Sequence, residues 1–210
     1  MCQQAQLPLA LPRVLAVNKM SKYKQYILFI SLISLGLIAI FVVSYGYYPI
    51  LSVNGSFVSA RTFWKNYQAG AIYYDFLRKN YKDDFKNNKV LSDIDIKRSV
   101  LTQLVEDELV ESEIKKELGK DLDYLVKNKI ESINQDQKIK LTAQAAYGLN
   151  LADFEKIILT PMAKSELLTG RLFLKGEKLE TWLAEAKKNS DVKIYSRNFY
   201  WDGTEVKAAE

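Results

Sequence analysis

Residues 26–45 read YILFISLISLGLIAIFVVSY, from Tyr26 to Tyr45, twenty positions without a single charge. At about 1.5 Å of rise per residue, a helix of that length covers roughly 30 Å, the thickness of a bilayer's hydrocarbon core. A helix buried in a soluble core is usually shorter and keeps a polar side, whereas here the apolar residues run all the way round. The stretch reads as a transmembrane helix, and the rest of the chain takes its place from it.

Orientation follows from the flanks. Arg13, Lys19, Lys22 and Lys24 precede the span, no acidic residue occurs before Asp75, and the first charge beyond the span is Arg61. An excess of Lys and Arg marks the cytoplasmic side, so residues 1–24 form a basic cytoplasmic stub, residues 25–48 a membrane anchor, and residues 49–210 an extracytoplasmic domain. Tyr26, Tyr45, Tyr47 and Tyr48 fall where amphipathic rings settle among headgroups. Ser44 and Gly46 make a weak small-x-small cleavage site. The apolar run is longer than a signal peptide's 7–15-residue core, which favours an uncleaved signal anchor. Met20, just before the basic SKYKQY, is an alternative start. Cys2, the lone cysteine, precedes the apolar run, so it fits neither a lipoprotein signal nor a disulfide framework.

Charge bounds the partners. Four of the 30 Lys and Arg lie in the stub, which leaves 26 against all 25 Asp and Glu in the outer domain. The basic balance belongs to membrane topology and gives no sign of a nucleic-acid surface.

The outer domain reads as mainly α with a small β element. Ile50–Val53 and Phe57–Val58 flank Asn54-Gly55, whose tolerance of positive φ suits a type I′ hairpin turn. Ser59 then caps a helix from about Ala60 to Lys79 that is unusually aromatic, with Phe63, Trp64, Tyr67, Tyr73, Tyr74 and Phe76. Core packing is the ordinary use of such a stripe and an apolar recognition groove the other. The polar run KNYKDDFKNNK reads as a loop. Ser92 caps the clearest helix, with Asp93 and Asp95 in its first turn, a stripe of Leu101, Leu104, Val105, Leu109, Ile114 and Leu118, and Gly119 at its end. Glu106, Asp107, Glu111, Lys115 and Lys116 read as its solvated face. Asp121–Tyr147 reads as one bent helix or two shorter ones, interrupted near Asn134–Asp136 and closed by Gly148. Asn150 opens a helix that must kink or break at Pro161. A last helix carries Leu179, Trp182, Leu183 and Ala186, and Asp191–Trp201 alternates as a strand. That strand is expected to pair with the Ile50–Val58 hairpin, joining the domain's two ends in one antiparallel sheet.

Catalytic chemistry is thin. The chain has no histidine, and its one cysteine lies on the cytoplasmic side. Gly-rich phosphate loops, a G-x-S-x-G elbow and paired carboxylate metal motifs are all missing. No enzyme activity, cofactor or metal is expected.

The order of motifs carries a resemblance. VNG at Val53–Gly55 with SARTF at Ser59–Phe63, LTQLVEDELVESEIKKELG from Leu101, YGLNLADFEKIILTPMAKSELL from Tyr147 and LETWLAEAKKNSDVKIY from Leu179 together resemble the N-terminal chaperone domain of the SurA, PrsA and PpiD group, over about Ile50 to Tyr195. That resemblance implies a mostly helical bacterial chaperone module in which the N-terminal segment folds with a C-terminal helix and strand. In this group a parvulin prolyl-isomerase domain is usually inserted before the last helix. The corresponding point here, Leu172–Glu177, leaves no room for one. PpiD-like members are also anchored by one N-terminal helix. The implied activity is a holdase that binds unfolded or newly secreted polypeptides on apolar surface, with Phe63, Trp64, Tyr67 and Tyr73 as candidate client-binding residues and the bilayer as partner of Tyr26–Tyr45. A homodimer and a secretion-channel partner are left open, and the competing class is a single-span subunit of an envelope assembly.

Overall fold

The computed structural model describes residues 22–81, 90–134 and 137–209. Helix α1, Lys22–Ser44, is apolar on every side, and the hydrophobic window within Tyr23–Ser44 buries none of its residues.

Beyond it, β1 (Pro49–Val53) and β2 (Ser56–Ser59) form the expected hairpin. Its turn holds Asn54 at φ 50° and Gly55 at φ 85°, the left-handed pair that Asn-Gly supplies at least cost. Helix α2 runs Ala60–Asn80, and the Ser59 hydroxyl accepts the Thr62 amide at 3.1 Å. The loop expected over KNYKDDFKNNK lies, for residues 82–89, outside the described residues. Helix α3, Asp93–Leu118, starts with a full capping box: the Ser92 hydroxyl accepts the Asp95 amide while the Asp95 carboxylate accepts the Ser92 amide.

Of the two forms expected over Asp121–Tyr147, two shorter helices are found, α4 (Leu122–Asn134) and α5 (Gln137–Tyr147). Pro161 does disturb the next helix, one turn upstream of its own position. α6 (Leu151–Phe154) passes into a π-helical turn, Glu155–Leu159, before α7 (Thr160–Leu174) resumes with Pro161 in its first turn. Proline has no N–H to return and its ring crowds the preceding carbonyls; the widened turn absorbs both problems without ending the helix. Helix α8 spans Leu179–Lys188.

The long strand expected over Asp191–Trp201 is two strands in two sheets. β3 (Val192–Ile194) pairs antiparallel with β1, giving the order β2-β1-β3 and joining the ends of the domain as the alternation suggested. Pairing stops after the Tyr195 amide reaches the Ile50 carbonyl, at 2.8 Å, because the partner strand starts at Pro49, which has no N–H to offer. The chain turns, and β4 (Phe199–Trp201) pairs instead with β5 (Val206–Ala208) in a second, two-stranded sheet. Its turn is built on Asp202, whose carboxylate accepts the Thr204 and Glu205 amides and the Thr204 hydroxyl, each at 2.8 Å.

Helix α3 is the spine of the domain. Leu101, Leu104, Val105 and Leu109 pack with Leu51, Val53, Val58, Phe63, Phe199 and Val206 in one core. One turn further on, Val110 and Ile114 pack with Leu122, Val126, Ala163, Leu168 and Leu172 in another. A smaller cluster of Ala143, Phe154 and Leu159 closes α5 against α6 and the π turn.

Candidate functional site

A groove of about 600 Å³ opens where α2, α3, α5, the π turn, α7 and α8 converge. From α2 it is lined by Asn66, Ala69, Gly70 and Tyr73, positions that share one helical face by their spacing of three and four. Ala69 and Gly70 are what leave the space, since larger side chains there would fill it. From α3 come Val100, Gln103, Asp107 and Val110, again one stripe. The π turn contributes Ile157 and Ile158, α7 Pro161, Met162 and Ser165, α8 Leu179 and Leu183, and Tyr147 stands at the end of α5. The extra residue in the π turn re-aims its side chains, the use such turns commonly serve at binding sites.

The four aromatic candidates separate into two places. Phe63 is 3% exposed and belongs to the core, where it packs with Leu101 and Leu104. Trp64, 44% exposed, stands edge-on to Phe63 at 5.0 Å and to Tyr67 at 5.6 Å. Lys97 lies over both outer rings, 5.5 Å from the Trp64 centroid and 5.3 Å from that of Tyr67. The Tyr67 hydroxyl donates to Asp93, which Lys97 also binds at 2.5 Å. That bond raises the Tyr67 phenol above its ordinary range, while Lys97 first and Tyr67 second lower the Asp93 carboxyl. This set ties α2 to the first turn of α3, away from the groove lining. Tyr73 alone of the four lines the groove, stacked flat on Tyr147 with centroids 4.6 Å apart. Burial raises the Tyr147 phenol, and Tyr73 adds to the effect.

Charge around the groove is mostly paired between elements. Lys187 of α8 binds Glu106, Lys164 of α7 binds Glu111 at 2.9 Å, and Lys129 of α4 binds Glu166 at 2.5 Å. Asp107 is different. It was expected on the solvated face, but it is partly buried in the groove wall and accepts a hydrogen bond from Gln103 Nε2 at 2.9 Å. Loss of hydration pushes its carboxyl up to about 6, with Glu106 and Glu108 adding repulsion. The signal was present in the sequence, since Asp107 falls on the Val100, Gln103, Val110 stripe. Among the described residues no group of three His, Cys, Asp or Glu side chains is placed to hold a metal ion.

The connection at Leu172–Glu177 is a tight helix-ending turn. The Glu177 amide returns to the Leu172 carbonyl at 2.9 Å and the Gly176 amide to that of Phe173 at 3.0 Å, with Gly176 at φ 78°. α7 therefore passes directly to α8, with no domain between them.

The chain belongs to the family of the SurA-like N-terminal domain, whose model matches residues 17–167. It is a family of chaperone-type folding factors, and this domain is its non-catalytic part. The match stops within α7, so α8 and the strands β3 to β5 lie beyond it. No curated protein and no solved structure matches the chain.

Proposed function

We propose that this chain is a membrane-anchored holdase of the extracytoplasmic face, holding unfolded or newly secreted polypeptides in the groove between α2, α3, α7 and α8 and doing no chemistry on them. The observation that carries the reading is the groove itself: apolar walls, open to solvent, in a family of folding factors. A surface of that kind binds unfolded segments through burial alone and releases them because nothing covalent holds them. The apolar α1, none of whose hydrophobic window is buried, supports an anchor, and the basic residues around its start support a cytoplasmic N-terminus.

The test uses the full chain in lipid nanodiscs with a chemically unfolded client. Aggregation, followed by light scattering, should fall as the chaperone is added in several-fold excess, and a proline-peptide isomerisation assay should show no acceleration. Cutting Tyr73 back to Ala should weaken protection; Phe63→Ala should act through stability instead, since its ring is in the core. No protection at any excess would favour a structural subunit of an envelope assembly. One observation leans that way: Phe173 and Leu174 are each 78% exposed at the end of α7, and a permanent partner would cover them.

A further inference from the structure

The groove is mostly apolar, and its polar lining is neutral or, at Glu106 and Glu166, already paired with lysines, except at one point. Val100, Val110, Ile158, Met162 and Leu183 offer a client apolar surface, yet Asp107 sets a carboxylate among them. The groups around that carboxylate compensate it only in part. On its own helix Gln103 donates one neutral hydrogen bond, Glu106 and Glu108 repel it, and Glu108 is itself bound by Ser56 of β2. From α7, Lys164 attracts it from a distance but forms its ion pair with Glu111, and Glu166 is held by Lys129; from α8, Lys187 is held by Glu106. Among the described residues no Lys or Arg pairs with Asp107. A charge held in an apolar cleft is costly until an opposite charge joins it. Once joined there, the pair is worth more than one in water, because little solvent screens it.

We infer that the groove selects polypeptide segments in which an apolar stretch carries a Lys or Arg, the apolar side chains lying along α2, α3 and α7 and the cation meeting Asp107. This rests on the reading of the groove as a client site and names the class of segment it prefers. A purely apolar segment would leave the carboxylate buried and unpaired beneath it, and an acidic one would be repelled. Charge complementarity thus adds a chemical choice to a surface that otherwise offers only burial.

The experiment uses three fluorescein-labelled peptides with one apolar sequence and a central Lys, Gln or Glu. Binding to the full chain in nanodiscs of zwitterionic lipid is read by anisotropy, with empty discs subtracted. At pH 7.5 the Lys peptide should bind about ten-fold more tightly than the Gln peptide, as a charge-assisted bond in a desolvated site warrants, and the Glu peptide should bind most weakly. In Asp107→Asn the Lys preference should shrink to less than about two-fold, with the Gln peptide binding at least as tightly as to the wild type because no charge is left buried beneath it. Wild-type protein at pH 5 provides a second route to the same loss, since Asp107 takes up its proton there while ordinary carboxylates remain charged. Equal binding of Lys and Gln peptides by the wild type overturns this inference and leaves the client groove standing. A Lys preference that survives in Asp107→Asn also overturns it, by placing the cation elsewhere. Failure of all three peptides to bind overturns the groove reading as well.

Discussion

Replacing Asp107 by Asn should make the free protein more stable, although it removes a charge from a surface helix. The Asp107 carboxyl titrates at about 6 in the folded protein against an ordinary 3.8. At about 1.36 kcal/mol for each pH unit, that gap makes the ionised side chain a burden of at most about 3 kcal/mol at neutral pH. Asn has the same shape and can still accept the Gln103 hydrogen bond, so the expected gain is about 1–3 kcal/mol, or roughly 2–12 °C in Tm for a domain of this size. The pH dependence has a definite sign. A folded value above the unfolded one means that Asp107 contributes most favourably below pH 3.8 and that this contribution is lost as pH rises through 6. The variant's advantage should therefore be close to nil near about pH 3.5 and complete above about pH 7. Melting curves by circular dichroism on the full chain in detergent, run in parallel for both proteins across that range, isolate the one group because every other carboxylate titrates in both. A variant no more stable than wild type at neutral pH, or a gain that does not change with pH, would refute the claim that desolvation governs Asp107.

Three further outcomes are expected. Ending the chain at Ser190 removes β3 to β5 and with them buried Phe199 and Val206, each worth about 1.5–3 kcal/mol, so the domain should melt many degrees lower or fail to fold; an unchanged melt would mean the sheet is not shared. Gly148→Ala should cost about 1–2 kcal/mol by chemical denaturation, since φ is 65° there and a Cβ would come within 2.6 Å of Ile72 Cδ1; a neutral result would show that Ile72 swings clear and that the turn relaxes. Protease added to spheroplasts should digest the domain beyond Tyr48, and protection until lysis would place it on the cytoplasmic side instead.

Local signals were legible in proportion to how local their physics is. Asn54-Gly55 announces its own turn, and Ser92 with Asp95 announces a helix start, because each device is complete within four residues. Pro161 marked where the helix would be disturbed but not how, since a kink, a break and a π turn all answer the same missing N–H. The β4–β5 hairpin went unread although Asp202-Gly203 is a turn signal: the alternation from Val192 carried the eye past the point where β1 runs out of partners at Pro49. The groove was the least legible part. Aromatic rings drew attention to Phe63, Trp64 and Tyr67, yet the cleft opens over Ala69 and Gly70, and only the packing of α2 against α3 and α5 decides which face that is. Asp107 was placed in solvent for the same reason, because α3 alone does not say which of its polar positions a neighbour will cover.

The sheet that joins the two ends sets a clock. Asn54 and Asp191 clasp each other by a pair of 2.9 Å bonds although they stand 137 positions apart. A ribosome adding about 5–20 residues each second needs roughly 7–28 s to make the intervening chain. For that time the first hairpin has emerged with its inner edge, β1, unpaired and Leu51 and Val53 uncovered, the kind of sticky strand that aggregates most readily. A folding factor of this family is thus, during its own synthesis, an unfinished polypeptide that depends on being left alone until β3 arrives.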